Sequence, residues 1–408
     1  MIRLGTHDID VSDDAKRTYA RLVREATRVD LSEVQSDEDR LSFHARPDGG
    51  RQTMSVSQVQ KALVDLGFFP GGAVDGLCGY RTYSAIRLFQ EYVRSVEDRG
   101  GIGIPDGIFG PATEGHLQRW MDQGLTPDWA PTMERWASAI AGNGELDGTE
   151  FDRWLELGRK VQTRYASRPS RALQMVQDFG APTDTHGVGE WDFSPDLIHL
   201  FGIRRDQFGG KFDDVFILLL KGLVFKFQGS TEPGSSRHPD GRPFLVHGQH
   251  DYHFGWHQLR YLALRPQGRG GGVLVVRSKN DDVLDEADLD KGLSPNASIN
   301  IHWAGKGLTR NVNKWSEGCQ VVTGSLYVNH NGELVDCSAF VAMNKKEVSS
   351  VKTRGAYNVM VDLATALSGD MSDATVRYTL LEEGDLDLEP DLRDDLVQVR
   401  AAALAEMK

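Results

Sequence analysis

The spacing of hydrophobic positions changes partway along the chain. From Met54, apolar residues recur at helical spacing at Val56, Val59, Leu63 and Leu66, and the run stops at Gly67. A second helical face carries Ile86, Phe89, Val93 and Val96, and a third run carries Leu117, Trp120 and Met121. Residues 123–199 keep the helical period around Trp129, Trp136 and Trp154, and in the segment Glu150 to Arg164. They are punctuated by Pro127, Pro131, Pro169 and Pro182. From about Ile198 the period falls to two. VFKFQ, PFLVHGQHDYHF, RYLALRP, GVLVVRS and SINIHW read as strands parted by Gly, Pro and Asn turns. The run Val215 to Phe227, interrupted at Lys221, Gly222 and Lys226, reads as buried strand. The pattern predicts an α+β multidomain chain. An N-terminal arm over 1–53, with a helix over Asp13 to Thr27, precedes a helical module over 54–122. A helical connector over 123–199, a mostly-β domain over 200–385 and an acidic, helical tail over 386–408 follow.

Composition narrows the class. At 408 residues the chain exceeds one ordinary domain, and 39% hydrophobic with 26% charged residues is the balance of a globular protein. No apolar run is long enough for a membrane-spanning helix. A formal net charge of −13 argues against a nucleic-acid partner. The acidic run Asp385 to Asp395 reads as a solvated tail. Three cysteines, Cys78, Cys319 and Cys337, make no disulfide framework and no CxxC zinc pair. One is a candidate nucleophile; Cys78 and Cys337 read as small buried hydrophobes. GRGGG at Gly268 to Gly272 lacks both a following helix and a Lys-Ser/Thr pair, so it reads as a hairpin turn, not a phosphate loop.

Two motifs carry chemistry. The first is Asp-Gly-x-x-Gly-x-x-Thr, present as DGLCGYRT from Asp75 and again as DGIFGPAT from Asp106, 31 residues on. Each Asp-Gly makes a tight turn with positive φ at Gly76 or Gly107. Gly79 and Gly110 close the loops, and Pro111 suits the first turn of a helix. With Phe89-Gln90, the doubled motif resembles the peptidoglycan-binding domain 1 family over about Met54 to Asp122, with an expanded loop between Tyr92 and Gly103. The resemblance implies a small three-helix module. It also implies a peptidoglycan-binding role for the segment that holds Asp75, Gly76, Gly79, Asp106, Gly107 and Gly110.

The second motif joins His302 to Cys319, seventeen residues later. In a strand from Ser298 to Trp303, Ile299, Ile301 and Trp303 fall on one face and Ser298, Asn300 and His302 on the other. A thiol is a weak nucleophile until an adjacent imidazole takes its proton. Gly318 permits close backbone approach, and the amides around Gly318 and Cys319 are candidates for an oxyanion hole.

His302 followed by Ser316, Gly318 and Cys319 resembles the L,D-transpeptidase (YkuD-like) catalytic domain, over about 200–385. The sequence departs from that family at Glu317, where the family has a second His, at Trp303 and at Gln320. The resemblance implies a cysteine acyltransferase acting on peptidoglycan stem peptides, by transpeptidation, by carboxypeptidase action or by cutting cross-links. It calls for no cofactor. Cys319 would be the nucleophile and His302 the base. Ser316 and Asn313 would orient the loop or touch substrate, and Trp303, Glu317, Tyr252 and Trp256 are further substrate-side candidates. A wall substrate with no apolar leader in MIRLGTHDIDVSDDAKR predicts release by lysis or a non-Sec route, such as a phage lysin or an effector of a contractile injection apparatus.

Two rival readings remain. HGQHDYHFGWH places His247, His250, His253 and His257 within eleven residues, a candidate zinc peptidase site, with His247 and His253 expected on one strand face and His250 and His257 on the other. The other rival is a wall-binding structural protein whose catalytic domain is inactive, which Glu317 favours.

Overall fold

In the computed structural model the chain has a helical N-terminal region and a β-rich C-terminal region. The structure describes residues 1–8, 10–14, 17, 46–47, 54–97, 101–205, 210–234, 240–258, 261–266, 272–278, 284–307, 311–368 and 375–396. The expected helix over Asp13 to Thr27 and the hairpin at Gly268 to Gly272 lie almost wholly outside these.

Helices α1 (Val56–Asp65), α2 (Tyr80–Tyr92) and α3 (Pro111–Gln123) form the N-terminal region. Ser55 begins α1 with a capping box to Gln58. The two Asp-Gly turns are built alike. Gln60 of α1 accepts from the Asp75 and Gly76 amides and donates to the Asp75 carboxylate and the Thr82 hydroxyl. Gln90 of α2 accepts from the Gly107 amide and donates to Asp106 and Thr113. Gly76 and Gly107 have φ of 71° and 78°. The expected arm is in part a component of this region. Ile2 exchanges backbone hydrogen bonds with Phe109, and the Asp8 carboxylate accepts from the amides of Val56 and Ser57 at the start of α1.

Strands β1 (Ile198–Arg204), β2 (Asp214–Leu220), β3 (Leu223–Ser230), β4 (Arg242–Leu245), β5 (Gly248–His257), β6 (Tyr261–Arg265), β7 (Val273–Ser278), β8 (Ser294–Asn296), β9 (Ile301–Trp303), β10 (Gln320–Val328), β11 (Leu334–Asp336) and β12 (Thr375–Glu382) make up the β region. Eight of them close a barrel in the order β9-β6-β5-β12-β1-β2-β3-β10, sealed by a β9–β10 pairing, with β11 added to β10. The seal is parallel, with Ile301 opposite Gln320 and Trp303 opposite Val322. Strands β8, β7 and β4 form a separate small sheet.

The run Val215 to Phe227 is a hairpin, not one strand. Lys221 and Gly222 take positive φ, the tight turn that fits the twist of paired strands. PFLVHGQHDYHF likewise divides between two sheets. It breaks at Gly248, whose φ is 123° and where a side chain would press on Trp191.

The connector helices α4 (Ala130–Ile140), α5 (Glu150–Ser167) and α6 (Arg171–Gln177) follow α3. Phe151, Trp154 and Leu155 of α5 share a core with Phe201, Ile203, Val215 and Ile217, so α5 covers the outer face of β1 and β2. Leu386, Leu392 and Leu396 join the same core. Asp385 is buried against Arg164 and Tyr165, which corrects the reading of the acidic run as wholly solvated.

Helix α7 (Ala356–Leu367), buried along its whole length, lies between α2 and strands β2, β3 and β10. One hydrophobic core runs from α1 and α2 through α7 into the barrel. Polar contacts cross the same boundary. Arg87 makes two hydrogen bonds of 2.6 Å to Asp362, and Tyr327 donates to Glu91 at 2.8 Å. Among the described residues no helix is long and apolar enough to cross a membrane.

Candidate active site

Because β9 and β10 run parallel, the residues just before each strand fall at the same end of the barrel. Asn300 lies before β9 and Cys319 before β10, so the thiol meets the backbone there. The Asn300 amide donates to Sγ at 3.4 Å, and the thiol donates to the Ser298 carbonyl at 3.2 Å. Cys319 and His302 line one open cleft of about 1040 Å³, between this end of the barrel and the small sheet. Trp256, His257, Asn300, Trp315, Glu317, Gly318 and Lys345 also line it.

His302 is buried, and its Nδ1 lies 2.9 Å from the Trp303 carbonyl. A carbonyl only accepts, so Nδ1 carries the proton and Nε2 keeps its lone pair. That is the tautomer of a general base. Burial, with Lys345 adding to it, pushes His302 down to about 4, although the hydrogen bond to Trp303 works the other way. Burial pushes the Cys319 thiol up to about 11, against the Asn300 amide and Lys345, which lower it. The proton therefore rests on sulfur, and the cleft holds a neutral thiol and a neutral imidazole.

Ser316 shapes the turn before the thiol. Its hydroxyl donates to the Cys319 carbonyl at 2.7 Å and accepts from the Gly318 amide at 3.0 Å. The Gly318 amide is thus engaged by Ser316, which corrects its assignment to an oxyanion hole. Gly318 is needed for fit, since a Cβ there would run into the Pro243 ring and Ile299.

Glu317 and Trp256 line the cleft; three other candidates do not. The Trp303 ring is fully buried in the barrel core against Trp315 and beneath Arg354, because β9 alternates and Trp303 shares the face of Ile301. Tyr252 is buried beside Tyr378 and donates to the Ile299 carbonyl at 2.9 Å, supporting the lead into β9 from inside. Asn313 has a φ of 49° and donates to the Asn311 carbonyl, so it shapes the loop. Asp75, Gly76, Asp106 and Gly107 have their turn contacts within their own module. Gly79 and Gly110 precede α2 and α3 as N-caps.

The histidine cluster separates. His247 meets Ser170, and His250 is held between Thr185 and the Val246 carbonyl. The β5–β6 register is unbroken from His253 to His257, which places His257 on the His253 face and corrects its expected pairing with His250. Among the described residues no three His, Cys, Asp or Glu side chains gather as a metal site, so the zinc reading loses its ligands. His257 belongs to the cleft instead. Its ring stacks on His302 at 4.1 Å, and its Nδ1 is 3.1 Å from the Asn300 amide nitrogen. The sequence offered His257 only as a zinc ligand on the His250 face, and its approach to His302 comes from the pairing of β5 with β6 and of β6 with β9, a strand distant in the chain.

Residues 53–113 match the family model of a peptidoglycan binding domain. That match points to association with the cell wall. No curated protein and no solved structure matches the chain.

Proposed function

We propose that the cleft is a thiol acyl-transfer site acting on the stem peptides of peptidoglycan, as the resemblance to L,D-transpeptidases implies. The observation that carries this reading is the placement of Cys319 and His302 on one cleft, with the imidazole tautomer that leaves Nε2 as acceptor. The family match over 53–113 supplies the polymer. In the reaction the S–H proton passes to Nε2 of His302 as sulfur bonds to a peptide carbonyl carbon, whose π pair moves to oxygen. The C–N bond then breaks, the departing amine takes the proton from His302, and a thioester remains. An amine or a water attacks the thioester, His302 accepts its proton, and the proton returns to the leaving sulfur. With a resting neutral pair, proton transfer accompanies attack instead of preceding it.

The test is mass spectrometry of muropeptides incubated with the protein and with Cys319→Ala. A lost terminal residue, a new cross-link or a cut cross-link that is absent with the variant is the expected result. Unchanged muropeptides with a folded parent protein would overturn the reading and favour a wall-binding structural role.

A further inference from the structure

We propose that His257 is a positioning residue for His302: a second imidazole, stacked on the first, that takes up part of the charge His302 acquires while it holds the thiol proton. The proposal rests on the acyl-transfer reading above. The two rings come from different strands, β5 and β9, with β6 between them, and both are buried at the cleft wall. Their centroids are 4.1 Å apart and their planes are 22° from parallel, so each presents a face to the other.

Hydrogen bonds set the protons. The Nδ2 amide of Asn300 donates to Nδ1 of His257, so His257 carries its proton on Nε2, whereas His302 carries its own on Nδ1. The two neutral rings are thus opposite tautomers. A proton on Nδ1 of His257 would oppose the Asn300 amide hydrogens. Two imidazolium ions 4 Å apart in a buried wall would also repel strongly. The stack therefore admits one positive charge, and the Asn300 contact directs it to His302.

His302 needs such a neighbour. Among the described residues no carboxylate bonds to it; its partner is a backbone carbonyl. The other charged or titratable groups around it are the Tyr261 hydroxyl at 3.5 Å, Arg354 over the Tyr261 ring at 4.2 Å, Lys345, and Cys319, Glu317, Lys314, Arg265 and Arg277 on the same cleft. Lys345 disfavours a cation at His302. Beside the Trp303 carbonyl, a neutral π face against the ring favours one, as in cation–π pairs.

The experiment uses the full chain with ring-¹⁵N histidine, following His302 by NMR titration alongside kcat and KM on muropeptides. His257→Ala is expected to lower kcat about tenfold with KM unchanged and to move the His302 titration to lower pH, the order expected for a desolvated cation–π contact. His257→Phe, which keeps the face without the ring nitrogens, is expected to restore kcat to within about threefold. If the alanine variant does not fold, His257→Asn takes its place, removing the ring while keeping a hydrogen-bonding amide. A ring-deleted variant with parental kcat and parental His302 titration would overturn the proposal. If the parent turns nothing over, the acyl-transfer reading fails. The titrations of parent, ring-deleted and phenylalanine proteins then still decide the stacking, and equal values would overturn it.

Discussion

The contact between α2 and α7 gives the sharpest test of how the two regions are joined. Arg87 and Asp362 form a two-bond ion pair at 2.6 Å, with side chains only 8% and 2% exposed. Burial holds Asp362 above the usual carboxylate range even with Arg87 against it, and Arg87 is held more firmly protonated than usual, despite its burial, by Asp362. Asp362→Asn keeps the shape and removes the negative charge. A guanidinium cannot shed its proton, so an uncompensated cation stays buried at a cost of about 3–5 kcal/mol. With an unfolding entropy of about 2.1 cal/mol/K per residue over 408 residues, that lowers Tm by about 4–6 °C. Arg87→Met differs in kind, because Asp362 then takes up a proton. Its cost falls with pH below the new carboxyl pKa, by up to about 1.4 kcal/mol per unit. The double variant Arg87→Met with Asp362→Leu should recover most of the loss, since apolar replacements of a buried pair are often neutral or stabilising. Calorimetry and circular dichroism between pH 5 and 8 would measure all four proteins. An Asp362→Asn protein within about 1 kcal/mol of the parent, or a double variant worse than the two single costs together, would refute the reasoning.

Two further predictions concern titration. A thiol at about 11, against an ordinary value of 9.0, holds about a hundredfold less thiolate at neutral pH. Iodoacetamide should therefore label Cys319 slowly at pH 7, with the rate rising about tenfold per unit toward pH 11, while the fully buried Cys78 and Cys337 stay unlabelled until unfolding. A rate that levels off below pH 9 would contradict this. Acid stability follows from burial of neutral imidazoles. His199, His247 and His302 are pushed down to about 4 and His250 to about 3, each by burial first. Groups with lowered pKa contribute stability that is present above 6.5 and lost as pH falls through 4. Asp214, pushed up to about 7 by burial, acts with the opposite sign. Near pH 5 unfolding takes up four protons and releases one, so stability falls by about 4 kcal/mol per pH unit from these groups. Denaturant midpoints that do not change between pH 6.5 and 5 would refute it.

The helices of the N-terminal region were legible because an amphipathic helix declares its period within a few turns, and Asp-Gly turns require glycine locally. What the repeat does was less legible. Gln60 and Gln90 sit in the helix before each motif, 30 residues apart, and could have been found by extending the comparison upstream of Asp75 and Asp106. The barrel was harder, since its closure depends on β12 lying parallel to β1 and β9 parallel to β10, pairings between distant segments. Alternation along 298–303 placed His302 apart from the core residues Ile301 and Trp303, yet Trp303 still read as a substrate contact. Only the folded barrel shows that the Trp303 ring is in the core and that its carbonyl holds His302.

The modular reading of the sequence also understated how the parts are coupled. A tethered binding module would bury little against its neighbour and would need a soluble face on every side. Here α2 is buried along most of its length, and the fully buried α7, supplied by the chain after β11, fills the space between it and the barrel. Tyr80 at the start of α2 packs edge-on against Trp256, which lines the cleft, at 5.2 Å. Arg81 donates to the Thr365 and Ser368 carbonyls, Arg94 to that of Asp336. These contacts lie at the start of α2 and just past its end, so α2 cannot pivot without breaking several of them together. A polymer held by the helical region would meet the thiol cleft at a set distance and orientation. On the acyl-transfer proposal, any tolerance for where the substrate lies would then come from the cleft loops around Lys314 and Lys345.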